Sequence, residues 1–230
     1  MDIPATEGAP VLAAGPGKVV WAGYGLYSGP TAPDDPYGLA VVIRHDFGYQ
    51  GQQLFTLYAH LSRVDVIRGQ YLQTSEPLGL VGDTGFTTGA HLHFEIRKGE
   101  NYLYATLNPE LWIAPPQGWG VLAARVTSTG RRQLYNFPVT VRNLDTGQTW
   151  KVITYGSEID VNSDPYYEEN MVIGDLPAGN YQIEITYLGR TIQWDIQIHP
   201  GQVSYFTFRG RNGFFGGPPP TPEADFTPLP

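Results

Sequence analysis

Apolar and polar residues alternate through most of this chain in short runs, and clusters of Gly, Pro, Asn and Asp punctuate them. A period of two with frequent turn residues predicts β-strands rather than helices. PVLAA (10–14) and KVVWAG (18–23) predict two strands about a Gly15-Pro16-Gly17 turn. LAVVIRH (39–45) and QQLFTLYAHL (52–61) predict two more, joined through a turn at Asp46-Phe47-Gly48-Tyr49. His45 then marks a strand end. VDVIRGQYL (64–72), EPLGLVG (76–82) and HLHFEIR (91–97) complete this block. The intervening YSGPTAPDDPYG (27–38) has no period and predicts a surface loop, with Asp34 and Asp35 as solvated charges.

The pattern changes after LWIAPPQGWG (111–120), where a Pro-Pro pair predicts a linker. VLAARVTS, FPVTVRN, TWKVITY, YQIEITYLG, TIQWDIQIH and VSYFTF follow as short alternating strands, the pattern of a β-sandwich. The expected fold is all-β: a first domain over 1–114, a linker over 115–120, a small β-sandwich over 121–210, and a Pro-rich, disordered tail over 211–230. No strong amphipathic helix and no solenoid repeat is visible.

Composition supports this picture. The chain has 230 residues with 28 Gly, 20 Pro and 15 Tyr, and only 16% are charged. A formal charge of -8 argues against nucleic acid as a partner, because phosphates repel an acidic surface. No stretch is apolar for long enough to span a membrane. The absence of Cys removes disulfides, thiolate metal sites and a Cys nucleophile from consideration. The opening MDIPATEGAP has neither the basic start nor the apolar run of a signal peptide.

The candidate chemistry lies with the histidines. His91 and His93 are two apart, so on a strand they share a face with Glu95, while Leu92 and Phe94 turn to a core. Two imidazoles and a carboxylate on one face can build a metal site, Glu95 fixing a ring tautomer from behind. A bare His-x-His pair reads more readily as an ordinary sheet surface; the glycines Gly82, Gly85 and Gly89 before it change that reading, since they let backbone pass close to whatever the pair holds. Alternation places His60 with Leu54, Thr56 and Tyr58 on one face of its strand. Asp83 reads as a turn former, and His199 stands in a His-Pro-Gly turn.

PVLAAGPGKVVWAG, VVIRH, TLYAHLS and LGLVGDTGFTTGAHLHFEIR, in that order, resemble the lysostaphin-like zinc endopeptidases of bacterial cell walls. The resemblance runs from Asp2 to about Trp112. It implies an antiparallel peptidase sheet of the duplicated hybrid motif type. It implies zinc as cofactor, with Asp2 and His93 as ligands, His60 and His91 as catalytic residues, and Glu95 behind the ligands. Tyr37, Gly85 and Thr88 would line the substrate groove. The implied substrates are peptide cross-links or stems of peptidoglycan. The implied location is extracellular or in the cell envelope, with other wall hydrolases as further partners.

One feature departs from the family pattern. The family's remaining zinc histidine stands four residues before the aspartate, which here falls ahead of Met1. The main expectation is therefore an enzyme whose full form begins upstream. The alternative is a non-catalytic peptidase fold that binds wall peptides or regulates a hydrolase. The segment DLPAGNYQIEITYLGRTIQWDIQIHPGQVSYFTF (175–208) separately resembles transthyretin-like and carboxypeptidase-regulatory-like β-sandwiches, a resemblance that implies a fold and no chemistry.

Overall fold

The computed structural model describes residues 1–29, 32, 34–156 and 161–220. It is all-β: among the described residues the helical segments are three single 3-10 turns, Leu103–Ala105, Pro109–Leu111 and Gly210–Asn212. None of its helices is long and apolar enough to cross a membrane. The chain divides into two compact units, the first over Met1–Leu107 and the second beginning at Asn108.

The first unit is one nine-stranded sheet. Its strands are β1 (Asp2–Pro4), β2 (Pro10–Leu12), β3 (Gly17–Gly23), β4 (Leu39–Tyr49), β5 (Gln52–Val64), β6 (Tyr71–Leu72), β7 (Pro77–Val81), β8 (His91–Lys98) and β9 (Thr106–Leu107). The main path runs β1-β8-β5-β4-β3-β6, with β7 joining β5 and β2 and with β9 joining β8. Every pairing is antiparallel. The strands come from the expected segments, with two differences. The hairpin between β4 and β5 turns at Gln50-Gly51, not at residues 46–49, because positive φ at both positions makes the tight turn there. His45 is consequently inside β4, where it is buried between Pro16 O (3.0 Å) and Thr56 Oγ1 (2.9 Å). Residues 65–70 are not strand; pairing resumes only at Tyr71–Leu72.

Register decides which side chains meet. Leu57, Ala59 and Phe55 of β5 lie opposite Glu95, His93 and Arg97 of β8. Opposed residues of an antiparallel pair share a face. On this face Tyr37, Ala40, Val42, Leu57 and Ala59 form an apolar cluster, with Phe55 and Leu103 packed on it. The opposite face carries Phe94 against Tyr58, ring centroids 5.4 Å apart.

The second unit has two four-stranded sheets. One is built from β10 (Trp119–Thr127), β13 (Met171–Pro177), β16 (Val203–Arg209) and β17 (Phe214–Gly216). The other is built from β11 (Pro138–Asn143), β12 (Thr149–Ile153), β14 (Gly179–Tyr187) and β15 (Arg190–Ile198). Leu122, Val126, Met171, Phe206 and Phe208 of the first sheet close on Val141, Tyr181, Ile183 and Ile185 of the second, so the unit is the expected sandwich. Its edges differ from those expected. Glu110 accepts from Gly174 N at 2.7 Å and Leu111 packs against Val121, Ala123 and Val172, which draws residues before 115 into this unit. At the far end residues 214–216 form a strand, not disordered tail, because Phe214 stacks on Trp194 and meets Phe206 and Phe208 edge to face. Residues 221–230 lie outside the described residues.

A buried carboxylate makes this unit sensitive to pH. Glu169 is fully buried, accepting from Tyr155 Oη (2.6 Å) and from Asp164 N. Burial pushes its pKa up to about 7, more than the hydrogen bonds from Tyr155 and Asp164 pull it down. A carboxyl whose folded pKa is raised contributes stability that is complete below its ordinary pKa near 4.5 and is lost as pH rises through about 7. The unfolding midpoint of the second unit, followed by calorimetry, should therefore fall between pH 5 and pH 8. Glu169→Gln should flatten that dependence; an unchanged slope in the variant would remove Glu169 as its source.

Candidate active site

β8 supplies a single file of polar side chains. His91, His93, Glu95 and Arg97 alternate with Leu92, Phe94 and Ile96, so all four project from one face. β1 brings Asp2 alongside, opposite His93 in register. Backbone bonds hold this first strand at its end: the Met1 ammonium donates to Phe94 O (2.9 Å), and Phe94 N donates to Met1 O (2.8 Å).

His60 reaches the same face by a different route. Strict alternation would leave it beside Tyr58, turned away from His93. One extra residue enters β5 between Tyr58 and Leu61 relative to β4, and His60 takes a left-handed φ of 60°. A bulge of this kind turns one side chain to the other face. The His60 ring then lies 4.8 Å from that of His91 and 5.5 Å from that of His93, centroid to centroid. Positive φ is uncommon outside glycine, and histidine adopts it more readily than most residues.

The bulge is held by two loops. His60 N donates to Tyr37 O (2.9 Å), and His60 Nδ1 donates to Thr84 O (2.8 Å). Thr84 Oγ1 accepts from Leu39 N (2.9 Å) and donates to Leu61 O (2.7 Å), tying together the strands on either side of the bulge. Phe86 N donates to Pro36 O (2.9 Å), and Gly38 and Gly85 pack backbone to backbone. Asp35, expected to be solvated, is fully buried and accepts from the backbone N–H groups of Tyr27, Ser28 and Tyr37. Its carboxylate ties the backbone of Tyr27 and Ser28 to that of Tyr37, a task for which the sequence pattern gives no periodic sign.

The hydrogen bonds set the ring orientations. A carbonyl only accepts, so the bond to Thr84 O places a proton on His60 Nδ1 and leaves Nε2 facing the cluster. His91 Nδ1 donates likewise to Gly89 O (2.8 Å), and its Nε2 lies 3.7 Å from Asp2 Oδ1. His93 stands between two carboxylates, Nε2 lying 2.9 Å from Glu95 Oε1 and Nδ1 2.8 Å from Asp2 Oδ1, so each ring nitrogen has an acceptor in front of it. Burial lowers the pKa of His60, assisted by the neighbouring His93 and His91 against the Thr84 bond and Asp2. Burial raises that of Glu95, but His93 and Arg97 outweigh it and hold the carboxyl at about 2. For Asp2 the burial contribution is also outweighed, by the His93 bond and the nearby positive charges, and its pKa is lowered.

The remaining expected positions are scattered more widely. Gly85 and Thr88 are exposed in the loop before β8. Tyr37, expected along a groove wall, is nearly buried with its ring 5.8 Å from that of His93. Its hydroxyl is held between Glu95 and Arg97. Arg97 and Thr84 had no place among the sequence candidates. The alternation that grouped His91, His93 and Glu95 extends to Arg97 and could have found it; the contact of Thr84 with His60 spans a loop and could not be read from spacing.

Residues 1–105 match the sequence family described as peptidase family M23. The chain is 38% identical over 149 residues to the DD-carboxypeptidase/endopeptidase Mpg of Neisseria meningitidis serogroup B, an alignment covering 63% of this chain and 31% of that protein. It is 35% identical over 96 residues to the peptidoglycan DD-endopeptidase ShyB of Vibrio cholerae, covering 41% of this chain and 19% of that one. The chain thus spans under a third of the length of either relative. Among solved structures it matches the catalytic domain of lysostaphin from Staphylococcus simulans at 27% identity, with a TM-score of 0.41, covering 48% of this chain and 74% of that one.

Proposed function

We propose that this chain is a zinc-dependent endopeptidase acting on the peptide cross-links or stems of peptidoglycan in the cell envelope, a reading supported by the match of residues 1–105 to peptidase family M23. The observation that carries the reading is the gathering of Asp2, His60, His91 and His93 on one sheet face, with the orientations of the three histidine rings set by hydrogen bonds.

The donors suit zinc in kind. Asp2 Oδ1 and His93 Nδ1 converge at 2.8 Å, a carboxylate oxygen and an imidazole nitrogen, both ordinary zinc ligands. They would hold the metal, with a further donor completing the three that catalytic zinc takes. Bound zinc would supply a water of pKa about 7 and a Lewis acid for a carbonyl oxygen. His60 Nε2 would accept a proton from that water and return it to the departing amine. His91, its ring 4.8 Å from that of His60, would help to orient the water. Glu95, ionised behind His93, holds the ligand ring in place.

A second reading is a non-catalytic fold that binds wall peptides or regulates a hydrolase. It is favoured by one observation: among the described residues no three His, Asp or Glu side chains are grouped to hold a metal ion. Incubation with isolated sacculi and zinc separates the two. The endopeptidase reading expects new amino termini by mass spectrometry, abolished by chelator and by His93→Ala. Sacculus binding with no new termini at any zinc concentration would establish the second reading instead.

A further inference from the structure

The polar file on β8 does not end at Glu95. Arg97 is 3% exposed, and its guanidinium is fully engaged. Nε and Nη2 donate to Glu95 Oε2 at 2.8 and 2.7 Å, Nη2 also donates to Tyr37 Oη at 2.9 Å, and Nη1 donates to Asn101 Oδ1 at 2.7 Å. Tyr37 Oη in turn donates to Glu95 Oε1 at 2.9 Å, the same oxygen that accepts from His93 Nε2.

The two carboxylate oxygens therefore have separate tasks. Oε2 is occupied by Arg97, with Thr106 Oγ1 at 3.4 Å. Oε1 is left for Tyr37 and His93. A carboxylate free to rotate about its last bond could offer His93 either oxygen or neither. Held by the fork of Arg97 on one side and the tyrosine hydroxyl on the other, it offers one oxygen in one direction. Tyr37 also reaches the second histidine, since its carbonyl accepts from His60 N. A buried ion pair is by itself weak evidence for a stabilising role. What marks this one is its direction: the pair and the tyrosine converge on the oxygen facing His93.

We infer that Arg97 and Tyr37 are positioning residues for His93, acting through the Glu95 carboxylate. This rests on the reading of His93 as a zinc ligand. The network anchors the Nε2 edge of the His93 ring and so fixes the direction in which Nδ1 faces Asp2, setting the ligand pair before metal arrives. Its loss would act on affinity: partners behind a ligand commonly change metal affinity by about 10–100-fold.

The test is zinc titration of the whole chain by calorimetry, beside ring 15N spectra of the metal-free protein. Tyr37→Phe removes one hydroxyl, Arg97→Met removes the fork, and Arg97→Lys restores the charge without it. Zinc affinity is expected to fall about 10–100-fold in the first two and to recover only in part in the third. The His93 Nε2–H should give a slowly exchanging signal in the native chain and exchange faster in Tyr37→Phe and Arg97→Met. Should Arg97→Met fail to fold, Tyr37→Phe still decides the matter. Native affinity and a native exchange rate of the His93 Nε2–H in Tyr37→Phe, beside lost binding in His93→Ala, would overturn the inference and leave the zinc reading standing. Zinc bound equally by His93→Ala and the native chain would overturn the zinc reading, and this inference with it.

Discussion

If this chain is the proposed endopeptidase, His60→Ala should lower peptide hydrolysis by about 10²–10⁴-fold, the usual contribution of a general base. The size of the effect follows from the absence of a substitute in the right place. His91 Nε2 is turned toward Asp2, and His93 has both ring nitrogens against carboxylates. His60 Nε2 alone of the three has its far nitrogen committed to a carbonyl and no carboxylate in front of it. The variant must be separated from simple loss of structure, because position 60 has φ of 60°. Alanine there keeps a left-handed strain of about 1–2 kcal/mol, whereas glycine does not. His60→Gly should therefore melt higher than His60→Ala while being equally inactive. If His60→Gly recovers the native rate, the bulge serves geometry alone and His60 is not the base.

Gly38→Ala should destabilise the first unit by about 2–5 kcal/mol and abolish activity together with it. Two costs combine. The residue sits at φ +61°, where a side chain costs about 1–2 kcal/mol. A Cβ there would stand 2.4 Å from the carbonyl carbon and oxygen of Thr84, and overpacking of this kind costs about 1–3 kcal/mol. Backbone cannot swing aside as a side-chain tip can, so the two loops must part. Thr84 O is the acceptor for His60 Nδ1, so parting the loops releases the His60 ring. Gly8→Ala is the control: φ is +80°, but nothing lies within 4 Å of the added carbon. It should show the conformational cost alone. Equal losses in the two variants, measured by denaturant unfolding, would mean that the close approach of the loops contributes nothing.

The β8 segment shows how far a sequence can be read. Period-two alternation from His91 to Arg97 needs only the strand assignment, because a strand has no other way to dispose its side chains. The sandwich of the second unit was legible for the same reason: its inward residues alternate in sequence. The reading failed where one residue departs from the period. His60 belongs to a run that alternates well from Leu54 to Tyr58, and the extra residue in β5 reverses its side chain. A bulge leaves no mark in the hydrophobic pattern, since the shift is defined against β4, which is distant in sequence. Asp35 failed similarly. In a Pro-rich loop it resembles a surface charge, and only the three backbone N–H groups converging on it explain its burial.

The sequence by itself determined that this protein is all-β, that its two parts differ in pattern, and that His91, His93 and Glu95 share a face. Those properties depend on local periodicity, and the local backbone enforces them. The family resemblance implied that Asp2, His60 and His93 meet; tertiary structure decided how, through the register of β1 on β8 and the bulge at His60, and it alone decided that Tyr37 and Arg97 would grip Glu95 from behind. These contacts join segments many residues apart, and they depend on strand register and loop closure, in which a displacement of one residue sends a side chain to the opposite face.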